Sequence, residues 1–396
     1  MVANKSLTVW LLVFGLIINF DKTLMSLIVQ VLQKDQGWSP ADAGDLLSIV
    51  YVSFCLATIP SGWIIDRFHY RGYVRASLLV LALGSLGFFL AASSSALLSV
   101  VWLFLFIRFV TGLGYPGYTT GVPKVIQENF PHEQRGNVQG YVLSTIGFGA
   151  ILSFTVGIAA IAHWRWLYAF LAVGFFLLWC TSVKLPKKIA APAQKKDVKI
   201  SFWSAWKDRN TLILALIMIA IDMVCMAIMN WLPTLLNHKF GLQTGEMTGL
   251  LLIYAVVMSI GIATVAKLRQ KYFLGKEGTF IAVCAILGAA LLFIFNQSDS
   301  LWVAIIAMYC ANLLLTWSFG LIWVLPYDFC QPKILASSFA VINLGSFIGG
   351  IAQGTLIGRI VQMSGSFTAA ILFMSATLLV VSALPRLLCK VTDTAA

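Results

Sequence analysis

The chain has 396 residues, of which 60% are hydrophobic and only 11% charged, and its formal net charge is +12. A soluble domain carries about 25% charged residues, so this composition and a mean hydropathy of +0.89 exclude an ordinary soluble enzyme. The basic residues fall in short gaps between apolar runs, which reads as membrane topology and not as a nucleic-acid surface.

Apolar runs fall at about 7–31, 44–65, 73–94, 98–122, 137–160 and 166–183, then at about 211–236, 247–266, 278–295, 300–326, 335–360 and 366–388. A spanning helix needs about 20 mainly apolar residues. Helix is the expected state for each run, because backbone groups in lipid must be paired within their own segment. The first run is too long for a signal-peptide core and is read as a membrane helix. The sequence therefore predicts an all-α membrane protein of twelve transmembrane helices in two six-helix bundles, 1–183 and 211–396, joined by a linker over 184–210. That linker carries Lys184, Lys187, Lys188, Lys195, Lys196, Lys199, Lys207 and Arg209. Within it, Phe202, Trp203 and Trp206 beside Lys207 and Arg209 fit a short amphipathic surface helix.

The other even-numbered loops are also basic: Arg67, Arg71 and Arg75 after the second run, Lys124 and Arg135 after the fourth, Lys267, Arg269, Lys271 and Lys276 after the eighth. Lys and Arg collect on the cytoplasmic side, so both termini are expected there. The six-plus-six hydropathy pattern implies internal duplication, as in transporters whose two halves rock around a midplane site. The seven cysteines are scattered without a C-x-x-C pair, and the four histidines lie in loops without ligand spacing. Neither set points to a disulfide, a metal or an enzymatic centre.

Charges inside the runs are the functional candidates, because an ionisable side chain in a membrane span is costly and must face a partner or a cavity. The first run holds Asn19-Phe20-Asp21-Lys22, with Asp21 near mid-bilayer by helical rise. The fourth holds Arg108, too deep to snorkel. Asp21 is the expected partner of Arg108, either as part of a transport mechanism or only to hold two helices together. Asp222 lies about a dozen residues into the seventh run, as a proton carrier or as a hydrogen-bonding group facing a cavity. Tyr51, Asn230, Tyr254, Asn312, Asn343 and Gln353 are further polar residues within spans, and Tyr51 and Asn343 are candidate lining residues. Trp317 and Trp323 either wall a site or pack against helices and lipid.

Six segments carry a family resemblance. Gly62-Trp-Ile-Ile-Asp66-Arg67-Phe-His69-Tyr70-Arg71-Gly72, at the cytoplasmic end of the second run, resembles the loop 2–3 signature of the major facilitator superfamily. It departs from that signature at His69 and Tyr70. Arg108-Phe-Val-Thr-Gly112-Leu-Gly114 resembles the superfamily's fourth-helix pattern. Together with Asp21-Lys22, Asn129-Phe-Pro131-His-Glu133-Gln-Arg135-Gly136, His163-Trp164-Arg165-Trp166 and Trp231-Leu-Pro233, these resemble the anion:cation symporters, which include sugar-acid transporters.

The resemblance implies an alternating-access carrier that imports a small organic anion with protons, needs no cofactor or metal, and works as a monomer in the lipid bilayer. It implies that Lys22 meets the substrate carboxylate, where the branch usually has Arg, and that Asp21 and Arg108 take part in proton coupling. Gly62, Asp66, Arg67 and Arg71 would form a cytoplasmic gate. Many branch members carry Glu directly after Gly-x-Gly; here that residue is Tyr115, on the same helix face as Arg108. The second-half counterpart of the loop signature, Gly261 to Lys271, lacks the Asp and reads as eroded. Lys22, Tyr51, Asn230, Trp317 and Asn343 are the substrate-binding candidates, with Asp222 a second coupling candidate. The competing readings are a uniporter or exchanger, which Tyr115 favours, and an exporter of the same fold, which the proline-free segment Ser144–Ser153 disfavours. Compact loops and short tails point to a bacterial inner membrane.

Overall fold

A computed structural model gives the conformation of residues 5–68, 70–185, 202–331 and 334–388. The basic linker residues between 186 and 201 lie outside the described residues. So do His69, the surroundings of Gly62 and the side chains of Asp66 and Arg67. Among the described residues there is no strand, and eleven helices are long and apolar enough to cross a membrane. The chain divides into two compact units, Met1–Gln194 with Leu242–Leu252, and Lys195–Gly241 with Ile253–Ala396.

The first unit contains α1 (Lys5–Gln36), α2 (Pro40–Phe68), α3 (Tyr70–Ser93), α4 (Ser95–Leu98), α5 (Val101–Gly112), α6 (Pro116–Thr119), α7 (Gly121–Asn129), α8 (His132–Leu152) and α9 (Trp164–Thr181). The fourth expected span is not one helix. It breaks at Leu113–Tyr115 between α5 and α6. Pro116 has no N–H and crowds the carbonyl four residues back. The chain answers by tightening: Gly114 N–H donates to Thr111 at 3.0 Å, and Tyr115 N–H to Gly112 at 3.2 Å. This break is why eleven long helices stand where twelve were expected. Another irregularity follows α8, where Ser153–Gly157 forms a π turn and the Ser153 hydroxyl donates to the Phe20 carbonyl at 3.0 Å.

The second unit holds α10 (Arg209–Phe240), most of α11 (Thr248–Leu268), α12 (Glu277–Gln297), α13 (Leu301–Ile322), α14 (Pro326–Phe329), α15 (Leu335–Ser364) and α16 (Phe367–Val381). The segment Phe202–Lys207, expected as an amphipathic helix, forms a 3-10 turn. The break recurs at Trp323–Leu325, again just before a proline, Pro326.

The two units are built alike. In the first, α1 packs on α8 and α3 on α9; in the second, α10 packs on α15 and α12 on α16. The match extends to single residues. A Cβ on Gly149 would lie 2.9 Å from the Asn19 carbonyl carbon, and one on Gly349 would lie 2.7 Å from the Ile219 oxygen. Gly15 faces Thr145, and Ala215 faces Gly345, in the same register. Both helices of the pair therefore repeat 200 residues later, a duplication that residue identity between the halves conceals.

Candidate substrate and coupling site

The interior of the first unit is built around Asp21 and Arg108, which are 0% and 2% exposed. Arg108 projects from α5, and its Nη1 donates to both carboxylate oxygens of Asp21, at 3.0 and 3.2 Å. A lone charge at such a depth is not tolerated, and the two residues satisfy each other. The grip uses one guanidinium nitrogen only: Arg108 Nε is buried and has no hydrogen-bond partner among the described residues. Tyr115, in the break after α5, donates its hydroxyl to Asp21 Oδ2 at 2.5 Å. Thus Asp21 accepts from a cation and a phenol at once.

Lys22 follows on the next face of α1 and is half-buried. Its ammonium lies 5.1 Å from the Phe54 ring centroid and 5.0 Å from that of Tyr115. Those two rings are 5.8 Å apart. Phe54 stands on α2, one turn after Tyr51, which is also half-buried. Below this cluster α1 is held against α8 by Asn19, whose amide donates to Gly15 at 2.8 Å and to Thr145 at 3.2 Å. The structure therefore brings together Asp21, Lys22 and Arg108 as the sequence anticipated, and adds Tyr115 and Phe54. Phe54 gave no signal in the sequence beyond being an aromatic residue in an apolar run.

In the second unit Asp222 is buried on α10, and Ser346 of α15 donates to its Oδ2 at 2.6 Å. In the 200-residue register, Asp222 occupies the place that Lys22 holds in the first unit, so the repeat carries opposite charges at one position. Asn343 lies one turn before Ser346 on α15 and is partly exposed; Asn230 lies two turns after Asp222 on α10 and is buried. Trp317 is committed to neighbouring helices: its indole N–H donates to Thr264 of α11 at 3.0 Å, and its ring lies 6.2 Å from Phe280 of α12.

The loop motifs fare differently in the two units. In the first, Arg71 lies at the start of α3, partly exposed, and neighbouring Tyr70 is buried and accepts from Asn129 at 3.2 Å. The roles expected of Gly62, Asp66 and Arg67 fall on positions whose surroundings lie outside the described residues. In the second unit the eroded-looking copy keeps a paired cation. Arg269 Nε contacts Glu277 of α12 at 2.9 Å, and its Nη2 contacts Asp328 of α14 at 2.5 Å. The missing Asp is replaced by two carboxylates from other elements.

A bundle of long apolar helices with a buried ion pair and a half-buried lysine in one unit defines a multi-pass integral membrane protein with a polar interior. Residues 10–354 match the Major Facilitator Superfamily model, and the chain belongs to that family. It is a transporter and not an enzyme. Among curated relatives it is similar to the niacin transporter of Acinetobacter baylyi, at 24% identity over 92% of this chain and 88% of that one. It is also similar to a quinolone resistance transporter of Acinetobacter baumannii, at 23% identity over 93% and 90%. A third relative, the probable galactarate/D-glucarate transporter of Bacillus subtilis, is 24% identical over 94% and 90%. The fold matches the crystal structure of a D-xylose-proton symporter with a TM-score of 0.79 and 15% identity, covering 96% of each chain.

Proposed function

We propose that this chain imports a small organic anion, a carboxylate such as a sugar acid, by proton-coupled symport through alternating access. Lys22 carries the reading. Its half-buried ammonium stands beside the Asp21–Arg108 pair, packed against the Phe54 and Tyr115 rings, and supplies the first unit's interior with a cation that suits an anion. A lysine contacts a carboxylate as a point charge and does not impose the planar fork of arginine, which fits a site for a flexible or polyhydroxylated acid. Relatives named for galactarate/D-glucarate and for niacin support carboxylic acids as the class. In this reading Asp21 and Asp222 are the carboxylates that exchange protons, and the coupling ion is H+. Tyr51 completes the substrate surface of the first unit, and Asp66, Arg67 and Arg71 gate the cytoplasmic side. The carrier acts as a monomer in a bacterial inner membrane with both termini cytoplasmic.

The test is an uptake screen in proteoliposomes with labelled D-glucarate, galactarate and niacin against neutral sugars. Saturable uptake of an acid, with KM raised at least about tenfold by Lys22→Ala, is expected for a lost charge–carboxylate contact. Uptake of neutral solutes alone, or an unchanged KM in Lys22→Ala, overturns it. Export of an acidic amphiphile is the second reading, favoured by the quinolone-named relative; it predicts energised efflux from loaded vesicles in place of uptake.

A further inference from the structure

Tyr115 touches both charged elements of the site, and no motif assigns it a role. Its hydroxyl donates to Asp21 Oδ2, and its ring face lies 5.0 Å from the Lys22 ammonium. Its ring is fully buried and leans on Phe54. The Pro116 break places it there, because the turn Leu113–Tyr115 departs from the helix that carries Arg108.

The geometry of the ion pair gives the hydroxyl a specific consequence. Arginine and a carboxylate pair most strongly when two guanidinium nitrogens meet two oxygens. Here one nitrogen serves both oxygens, Nε stays buried without a hydrogen-bond partner among the described residues, and Tyr115 fills a lone pair of Oδ2. We infer that Tyr115 is a positioning residue with two separable parts: its hydroxyl holds the Asp21–Arg108 pair in an open, single-nitrogen grip, and its ring holds Lys22 in place for the substrate's anionic group. Without the hydroxyl, Arg108 can turn to a two-nitrogen grip that satisfies Nε and is slower to release. Without the ring, Lys22 loses an aromatic face against which its ammonium rests. The inference rests on the carboxylate-transport reading above.

The experiment compares Tyr115→Phe and Tyr115→Leu for uptake kinetics of the acid found in the screen and for thermal unfolding in detergent, with Lys22→Ala as control. Tyr115→Phe keeps the ring and is expected to hold KM within about twofold while Vmax falls about tenfold, the scale of one hydrogen bond to a charged group. Its Tm is expected to stay within about 2 °C of the parent, because the tighter grip offsets the lost bond. Tyr115→Leu is expected to raise KM about fivefold as well, the scale of one cation–aromatic contact. A Tyr115→Phe variant that loses Tm along with Vmax marks a merely structural residue and overturns the inference. So does one that transports like the parent, or a Tyr115→Leu variant with unchanged KM. If Lys22→Ala also leaves KM unchanged, the carboxylate reading itself fails; if Lys22→Ala raises KM and Tyr115→Leu does not, only the role given to Tyr115 falls.

Discussion

Replacing Arg108 by leucine strands the Asp21 carboxylate in the core of the first unit. The lost attraction can be estimated from the Nη1–Oδ1 separation of 3.0 Å: at an effective dielectric constant of about 20 it is about 5.5 kcal/mol. The folded state need not lose all of this. The Tyr115 hydroxyl still donates to the stranded carboxylate, and a hydrogen bond to a charged group contributes about 1.5–3 kcal/mol. The expected loss is therefore about 3–4 kcal/mol, within the range found when one partner of a buried pair is removed. For a cooperative unit of this size that is a fall in Tm of roughly 6–16 °C, readable by thermal unfolding of the purified protein in detergent. The second arm adds Asp21→Asn. With both charges gone the uncompensated ion is gone too, and the double variant is expected to recover most of the loss, a coupling energy of about 2–3 kcal/mol in the double-mutant cycle. An Arg108→Leu protein that melts within about 2 °C of the parent, or strictly additive single effects, would refute the claim that the two charges hold each other.

Further outcomes follow from the other charged positions. Asp222→Asn is expected to abolish accumulation driven by a proton gradient while leaving counterflow exchange of the same acid intact; full gradient-driven accumulation in the variant removes Asp222 from the coupling scheme. Lys22→Arg, which keeps the charge, is expected to retain transport with KM shifted by less than about tenfold, and loss of transport equal to that of Lys22→Ala would show that charge alone is not what the site needs. Arg269→Ala leaves the buried Glu277 without its cation and is expected to destabilise the protein by about 3 kcal/mol in thermal unfolding; Glu277→Gln in the same background is expected to restore most of it.

The spans and the Asp21–Arg108 pair were legible because each follows from a single constraint: lipid pairs backbone groups only within helices, and a buried arginine demands a carboxylate. Interruptions of the helices were less legible. The fourth run stays apolar across the break, so hydropathy passes over Leu113–Tyr115, although Pro116 was the local signal for it. The same proline signal at Pro326 shows the repeat that residue identity hides. The partners of Arg269 were missed because Glu277 and Asp328 lie 8 and 59 positions away on separate elements, outside any motif window. Tyr115 was visible as a departure from the branch pattern, but its bond to Asp21 depends on the turn that points it there. The sequence marks a charge well; it does not show which neutral side chain will complete its shell.

The most direct test of the account is accumulation of a labelled acid, D-glucarate or niacin, in proteoliposomes with an inward proton gradient, run beside Lys22→Ala and beside a protonophore control. The account predicts uptake above the equilibrium level in the parent protein, collapse to equilibrium with the protonophore, and a KM raised at least about tenfold in Lys22→Ala. Uptake that stops at equilibrium whatever the gradient would make the chain a uniporter or exchanger, and uptake indifferent to Lys22 would contradict the assignment of the anion to that lysine.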